Sequence, residues 1–277
     1  MSDENFTAES ILKEHPRLMP DDQFTFHCGR ELDCFTTCCR DVSIVLTPYD
    51  VLRLKKSLHM DSTEFLEKYT LPLLSPQQKF PVVILRMDSE TKECPFLSKQ
   101  GCEVYGDRPW ACRVYPLGVA APKQPTPTDR PFHFVVHENL CHGHGVGEAR
   151  SVREWLVEQG IEEYEMMAAP FQELTLHEFW DRGTALTPQQ VAMFYMACYD
   201  LDRFRRFVFE SRFLELFEVD EARVEALRSD DEELLEFALQ WLRFSLFGEK
   251  TMKIRREIKE AWPRADARPL ATVTKES

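Results

Sequence analysis

The sequence predicts an α+β fold in two parts, and three observations carry that expectation. Eight of the nine cysteines fall between Cys28 and Cys141, among short β-branched or apolar runs punctuated by proline and glycine. From Ser151 onward, apolar residues recur at helical spacing instead. The pattern changes over residues 147–151. The expected organisation is therefore a lead-in over 1–25, a cysteine-bearing domain over 26–150 and a helical domain over 151–277.

Taken in order, the lead-in is broken by His15-Pro16 and Met19-Pro20. Residues 41–46 alternate as a short strand, and Thr47-Pro48-Tyr49-Asp50 then starts a helix with Thr as N-cap, Pro at the first helical position and an acid at the positive helix end. Ser62 is the expected cap of a second helix carrying Phe65, Leu66 and Tyr69. Pro72, Pro76 and Pro81 predict a loop, and Val82 to Met87 a strand. A turn is expected at Lys99-Gln100-Gly101, and one helical turn between Pro109 and Pro116 that carries Cys112. The proline-rich run over 120–131 reads as a loop and Phe132 to Val136 as a strand. Ser151 opens a helix that Gly160 ends. Thr187-Pro188-Gln189-Gln190 is a capping box expected to lead a long helix towards Phe217, with further helices over 231–247 and 250–262.

Composition bounds the function. At 277 residues, 43% hydrophobic and 29% charged, the chain is globular and long enough to bury a core without disulfide staples. A formal charge of -13 opposes a general nucleic-acid surface, which needs a basic stripe. No run of about eighteen apolar residues is present to span a bilayer, and the acidic start MSDENFTAES lacks the basic, then apolar, pattern of a secretory signal. A cytoplasmic protein is expected, in which clustered thiols act as ligands or redox groups.

The candidate ligands are Cys28, Cys34, Cys38, Cys39, Cys94, Cys102, Cys112 and Cys141. Four thiolates complete the shell of a tetrahedral zinc or hold an iron-sulfur cluster, so eight allow two sites. Cysteine-only ligation and the surplus over one zinc favour an iron-sulfur cluster, with zinc as the alternative. Neighbouring side chains diverge, most sharply in extended chain, so Cys38 and Cys39 are expected to feed two centres, or to divide between ligation and packing.

These blocks resemble the YkgJ-like, or CxxCxxCC, cysteine-cluster family of zinc- or iron-chelating domains. The resemblance runs through Cys28, Cys34, Cys38 and Cys39, then LTPYDVLRL, then Cys94-Pro95-Phe96-Leu97 with Gly101-Cys102, then Arg108 to Leu117, and ends on Cys141 with Gly143, Gly145 and Gly147. It covers about residues 26–150. The first thiols are spaced C-x5-C-x3-CC, looser than the family's name motif. The resemblance implies metal or iron-sulfur binding, and its relatives include flagellin lysine methylases.

Three roles stay open at this level: a metal-cluster protein, a cluster-dependent enzyme such as a protein methylase or redox catalyst acting on a protein substrate, and a metal storage or delivery protein. No nucleophile-base set, phosphate loop or dinucleotide fingerprint stands out, and the radical-SAM pattern fails at Asp41. His142 and His144 are candidates to complete a mixed site or gate it, against the alternative of solvated loop histidines. Arg108 and Arg113 bracket Cys112, either to offset thiolate charge or to brace a loop. Cys198, Met193 and Met196 are expected in the helical core.

Overall fold

The computed structural model describes residues 16–74, 79–120, 131–183 and 185–261, and the fold is α+β. The loop expected over 120–131 lies almost wholly outside the described residues. Strands β1 (Gln23–Phe26), β2 (Val45–Leu46), β3 (Thr70–Leu73), β4 (Val82–Leu85), β5 (Leu97–Ser98), β6 (Gly101–Cys102), β7 (Leu117–Ala120), β8 (Phe132–Val135) and β9 (His144–Ser151) form small antiparallel sheets. Their pairings are β1-β9, β2-β4-β3, β5-β6 and β7-β8. The chain divides into two compact units, one made of Met1–Ile44 with Met87–Met166, the other of Val45–Arg86 with Met167–Ser277. The expected partition at residue 150 followed chain order, whereas these units interleave.

In the first unit, β1 runs against β9 with Gln23 opposite Ser151 and Phe26 opposite His144. Three residues of the expected lead-in, Gln23 to Thr25, are therefore sheet. Phe26, Val114, Leu117, Val152, Trp155 and Ile161 make the core, with Phe26 edge-on to Tyr115 and Trp155 at 5.7 and 5.6 Å between ring centres. Burying an aromatic side chain of this kind contributes about 2–3 kcal/mol. Trp155 Nε1 donates to the Val114 carbonyl at 3.2 Å, so its polar edge is satisfied inside. Trp155 lies on the helix Val152–Glu158, which Ser151 and Glu154 open as a reciprocal capping box. Gly160 follows at φ +63, where a Cβ would be strained.

In the second unit, Thr47 caps the helix Pro48–Ser57 as expected, and Asp50 returns the bond to make the cap reciprocal. The helix Ser62–Tyr69 is capped by Asp61, not Ser62. Ser62 is buried instead: its hydroxyl donates to Asp200 Oδ1 at 2.7 Å and accepts from the Asp202 amide at 2.9 Å. Asp200 also accepts from the Thr63 hydroxyl and the Arg203 amide. That buried carboxylate ends the helix Pro188–Tyr199 and caps Leu201–Glu210, so the single helix expected towards Phe217 is broken. Close by, Lys55 Nζ reaches Asp202 at 2.8 Å and Asp231 at 3.1 Å.

Two other expectations shift. Pro72 stands in β3, which pairs only with β4 within its sheet, and an edge strand tolerates the missing N–H. Among the described residues the last helix is Arg256–Ala261, starting six residues later than the expected 250. Cys198 is fully buried, as expected. Met193 and Met196 are only half-buried and line a cleft of about 230 Å³ with Phe207, Phe213 and Trp241.

Candidate metal centre

The first four thiols sit on a chain segment coiled by successive tight turns. Backbone bonds run from Leu32 to Gly29, Phe35 to Leu32, Thr37 to Cys34 and Cys39 to Thr36, at 2.9–3.1 Å. Thr36 and Asp41 adopt positive φ of 67° and 49°, which folds the segment back at both ends of the 3₁₀ turn Thr37–Cys39. This turn departs from the divergence expected of adjacent side chains at the doubled cysteine. Cys38 and Cys39 do not diverge as in an extended strand; their thiols are in contact, and that hydrogen bond, ahead of burial, pushes the Cys38 thiol far above its usual range.

Cys141 joins them from the far end of the unit. The His142 amide donates to Cys34 Sγ at 3.2 Å, and the His27 amide donates to the Gly143 carbonyl at 3.0 Å. Glycine is required at 143, because a Cβ there would lie 2.2 Å from the His27 carbonyl oxygen. Cys28 consequently feels Cys38, Cys141 and Cys34: burial first, then these three charges, raise its thiol to about 11. Such mutual repulsion suits a cation, since a metal among the sulfurs would turn each opposing charge into a shared ligand. The Tyr115 hydroxyl is buried beside the Cys141 thiol.

The second block is pinned to the first by three links. The Cys94 amide donates to the Cys39 carbonyl at 2.8 Å, the Asp41 amide to Lys92 at 2.9 Å, and Arg40 forks onto Glu93 at 2.8 and 3.1 Å. The β5-β6 hairpin sets Cys102 opposite Leu97, three residues after Cys94. Burial raises both thiols, and the Cys102 charge adds to the effect on Cys94. Cys112 is exposed on the helix Trp110–Val114.

The two arginines around Cys112 divide the roles that the sequence left open. Arg113 is a brace, buried and donating to the carbonyls of Arg108, Gln159 and Gly106. Arg108 is electrostatically coupled to Cys102 and Cys112, although burial is the largest influence on it. The candidate ligands thus fall into two groups: Cys28, Cys34, Cys38 and Cys141, and then Cys94 and Cys102, with Arg108 linking Cys102 to Cys112. Cys39 touches Cys38 by its sulfur and Cys94 by its carbonyl. None of the eight is in a disulfide.

The two histidines also separate. His144 lies on β9 with its ring 4.5 Å from His137 and 5.3 Å from Phe26, and burial lowers its pKa. His142 stands over Cys34 with Nδ1 2.6 Å from Asp33 Oδ1. Among the described residues, Asp33, Cys34 and His142 are the trio whose donor atoms all lie within 4.8 Å of one another. Sequence reasoning missed Asp33, Tyr115 and His137. An aspartate beside a cysteine was the one signal, indistinguishable in sequence from any other surface acid.

Residues 27–141 match the model of the CxxCxxCC family, described as a "putative zinc- or iron-chelating domain". This stretch is a CxxCxxCC domain. Its bounds run from the residue before Cys28 to Cys141, enclosing all eight candidate thiols and leaving out the buried Cys198. The CxxCxxCC domain assigns metal binding as the role of this part of the chain. No curated protein and no solved structure matches the chain. Among the described residues, no helix is long and apolar enough to cross a membrane.

Proposed function

We propose that the CxxCxxCC domain holds an iron-sulfur cluster with its ligands drawn from Cys28, Cys34, Cys38, Cys39, Cys94, Cys102, Cys112 and Cys141, in a protein of the reducing cytoplasm. The observation that carries the proposal is the meeting of Cys28, Cys34 and Cys38 with Cys141, from stretches a hundred residues apart, at one charge-coupled spot. Soft thiolates without a competing hard donor among the eight suit an iron-sulfur shell. When bound, a cluster supplies one-electron redox chemistry.

The chain's own residues prepare this place. The His142 amide donates to a sulfur, which stabilises negative charge there. Arg108 offsets charge at Cys102 and Cys112. The ring of Tyr115, packed on Phe26, limits water near Cys141. Because the ligands come from separated stretches, metal binding contributes to the folding of the first unit.

Elemental analysis with visible absorption, on protein purified without oxygen, tests the proposal. Iron with acid-labile sulfide and a broad band at about 400 nm is expected. Zinc without colour would replace the cluster by a thiolate zinc site. Absence of both iron and zinc would overturn the assignment of these thiols as ligands.

A further inference from the structure

We propose that Asp33, Cys34 and His142 form a solvent-facing capture site, which takes up a divalent first-row transition-metal cation, ferrous iron included, before it passes to the neighbouring thiols. The proposal rests on the reading of the CxxCxxCC domain as a metal centre, and goes beyond it in naming where the ion is first received. Three observations support it.

The first is donor chemistry. Carboxylate oxygen, thiolate sulfur and imidazole nitrogen are all first-row metal ligands, and a mixed set binds a borderline cation less possessively than four thiolates do. The second is geometry. The three donor atoms lie within 4.8 Å of one another, so small side-chain rotations bring them to bonding distances of about 2.0–2.3 Å around one ion. The Asp33–His142 contact is already 2.6 Å, and a cation would take the place of the proton shared there. The His142 amide on Cys34 Sγ fixes the third donor relative to the other two.

The third observation is position. The Asp33 and His142 side chains are 79% and 55% exposed, whereas Cys34 is only partly buried between them and the charge-coupled thiols. An ion at this trio retains a coordination position open to water, the arrangement of sites that exchange ligands rather than lock them. Cys34 belongs to both sets. It therefore provides the handover: Asp33 and His142 release the cation as Cys28, Cys38 and Cys141 replace them. No electron moves in that exchange, and each incoming thiol gives up a proton to solvent or to the departing Asp33–His142 pair.

Stopped-flow loading of the full chain with Co²⁺, followed by its thiolate absorption, tests the capture step. The double variant D33N/H142Q is expected to load more slowly by about tenfold, with the final cobalt content unchanged. D33E, which keeps a carboxylate, is expected to retain most of the rate and shows that slow loading is not misfolding. An unchanged rate in D33N/H142Q would overturn the capture site while leaving the thiol centre intact. A fall in final cobalt content would also overturn it, by making Asp33 and His142 resident ligands. Absence of cobalt, iron and zinc from the native chain would instead remove the metal-centre reading itself.

Discussion

Replacing Lys55 by methionine isolates the charge network that joins the two sequence stretches of the second unit. Lys55 is 5% exposed, and its partners Asp202 and Asp231 have side chains 17% and 10% exposed, so solvent screens these contacts little. A hydrogen bond to a charged group contributes about 1.5–3 kcal/mol, and removing one member of a buried pair costs about 3–5 kcal/mol. Arg205 still contacts both carboxylates in the variant, which places the expected loss at the low end, about 3 kcal/mol. Burial by itself would raise both carboxyls. The hydrogen bonds from Lys55 to Asp202 and from Arg205 to Asp231, with their charges, overcome it and hold both below their ordinary 3.8. A depressed carboxyl stabilises the fold fully above its unfolded value and loses that contribution as pH falls through the folded one. The native chain should therefore lose stability steeply below about pH 4, and K55M, already without part of the network, less steeply. Urea denaturation followed by tryptophan fluorescence at pH 7 and at steps down to pH 3 measures both. A loss under about 1 kcal/mol, as for an exposed pair, or an unchanged acid slope, would refute the argument.

Gly143→Ala should cost about 1–3 kcal/mol, because its methyl would meet the His27 carbonyl at 2.2 Å and prise apart the link between the first and last thiols. A thermal melt with an unshifted midpoint would contradict this. Cys198→Ala should cost about 1 kcal/mol through the small void it leaves, with iron or zinc content unaltered. A fall in bound metal would show that this fully buried thiol is more than core.

What was legible in the sequence was what is encoded locally. Thr47 with Asp50, Ser151 with Glu154 and Thr187 with Gln190 all cap reciprocally, because each box needs only residues three apart. The hairpin around Lys99 and Gln100 is likewise a short-range matter. The cysteine blocks and their family were legible because thiols at such spacing are rare. The assignment of Val45–Arg86 to the helical unit was not, since it depends on Lys55 meeting Asp202 across 147 residues and Ser62 meeting Asp200 across 138. Asp200 reads as one more polar residue in a helical run until Ser62 and Thr63 arrive to fix its carboxylate as a cap. The Cys38–Cys39 contact was missed for a related reason. Whether adjacent side chains meet or diverge depends on the turn at Thr36, and nothing in TTCC reports a left-handed threonine.

The interleaving of the two units also sets an order of events during synthesis. All eight thiols, the last of them Cys141, leave the ribosome before Asp200, Asp202 and Asp231 have been translated. Residues 45–86 emerge between the cysteine blocks and must wait for partners that arrive more than a hundred residues later. At the measured pace of roughly 5–20 residues per second, that interval lasts seconds, far longer than the microseconds a hairpin or helix needs to form. A nascent chain thus offers its complete set of thiols to the surrounding metal pool while the segment threaded through them still lacks its own unit.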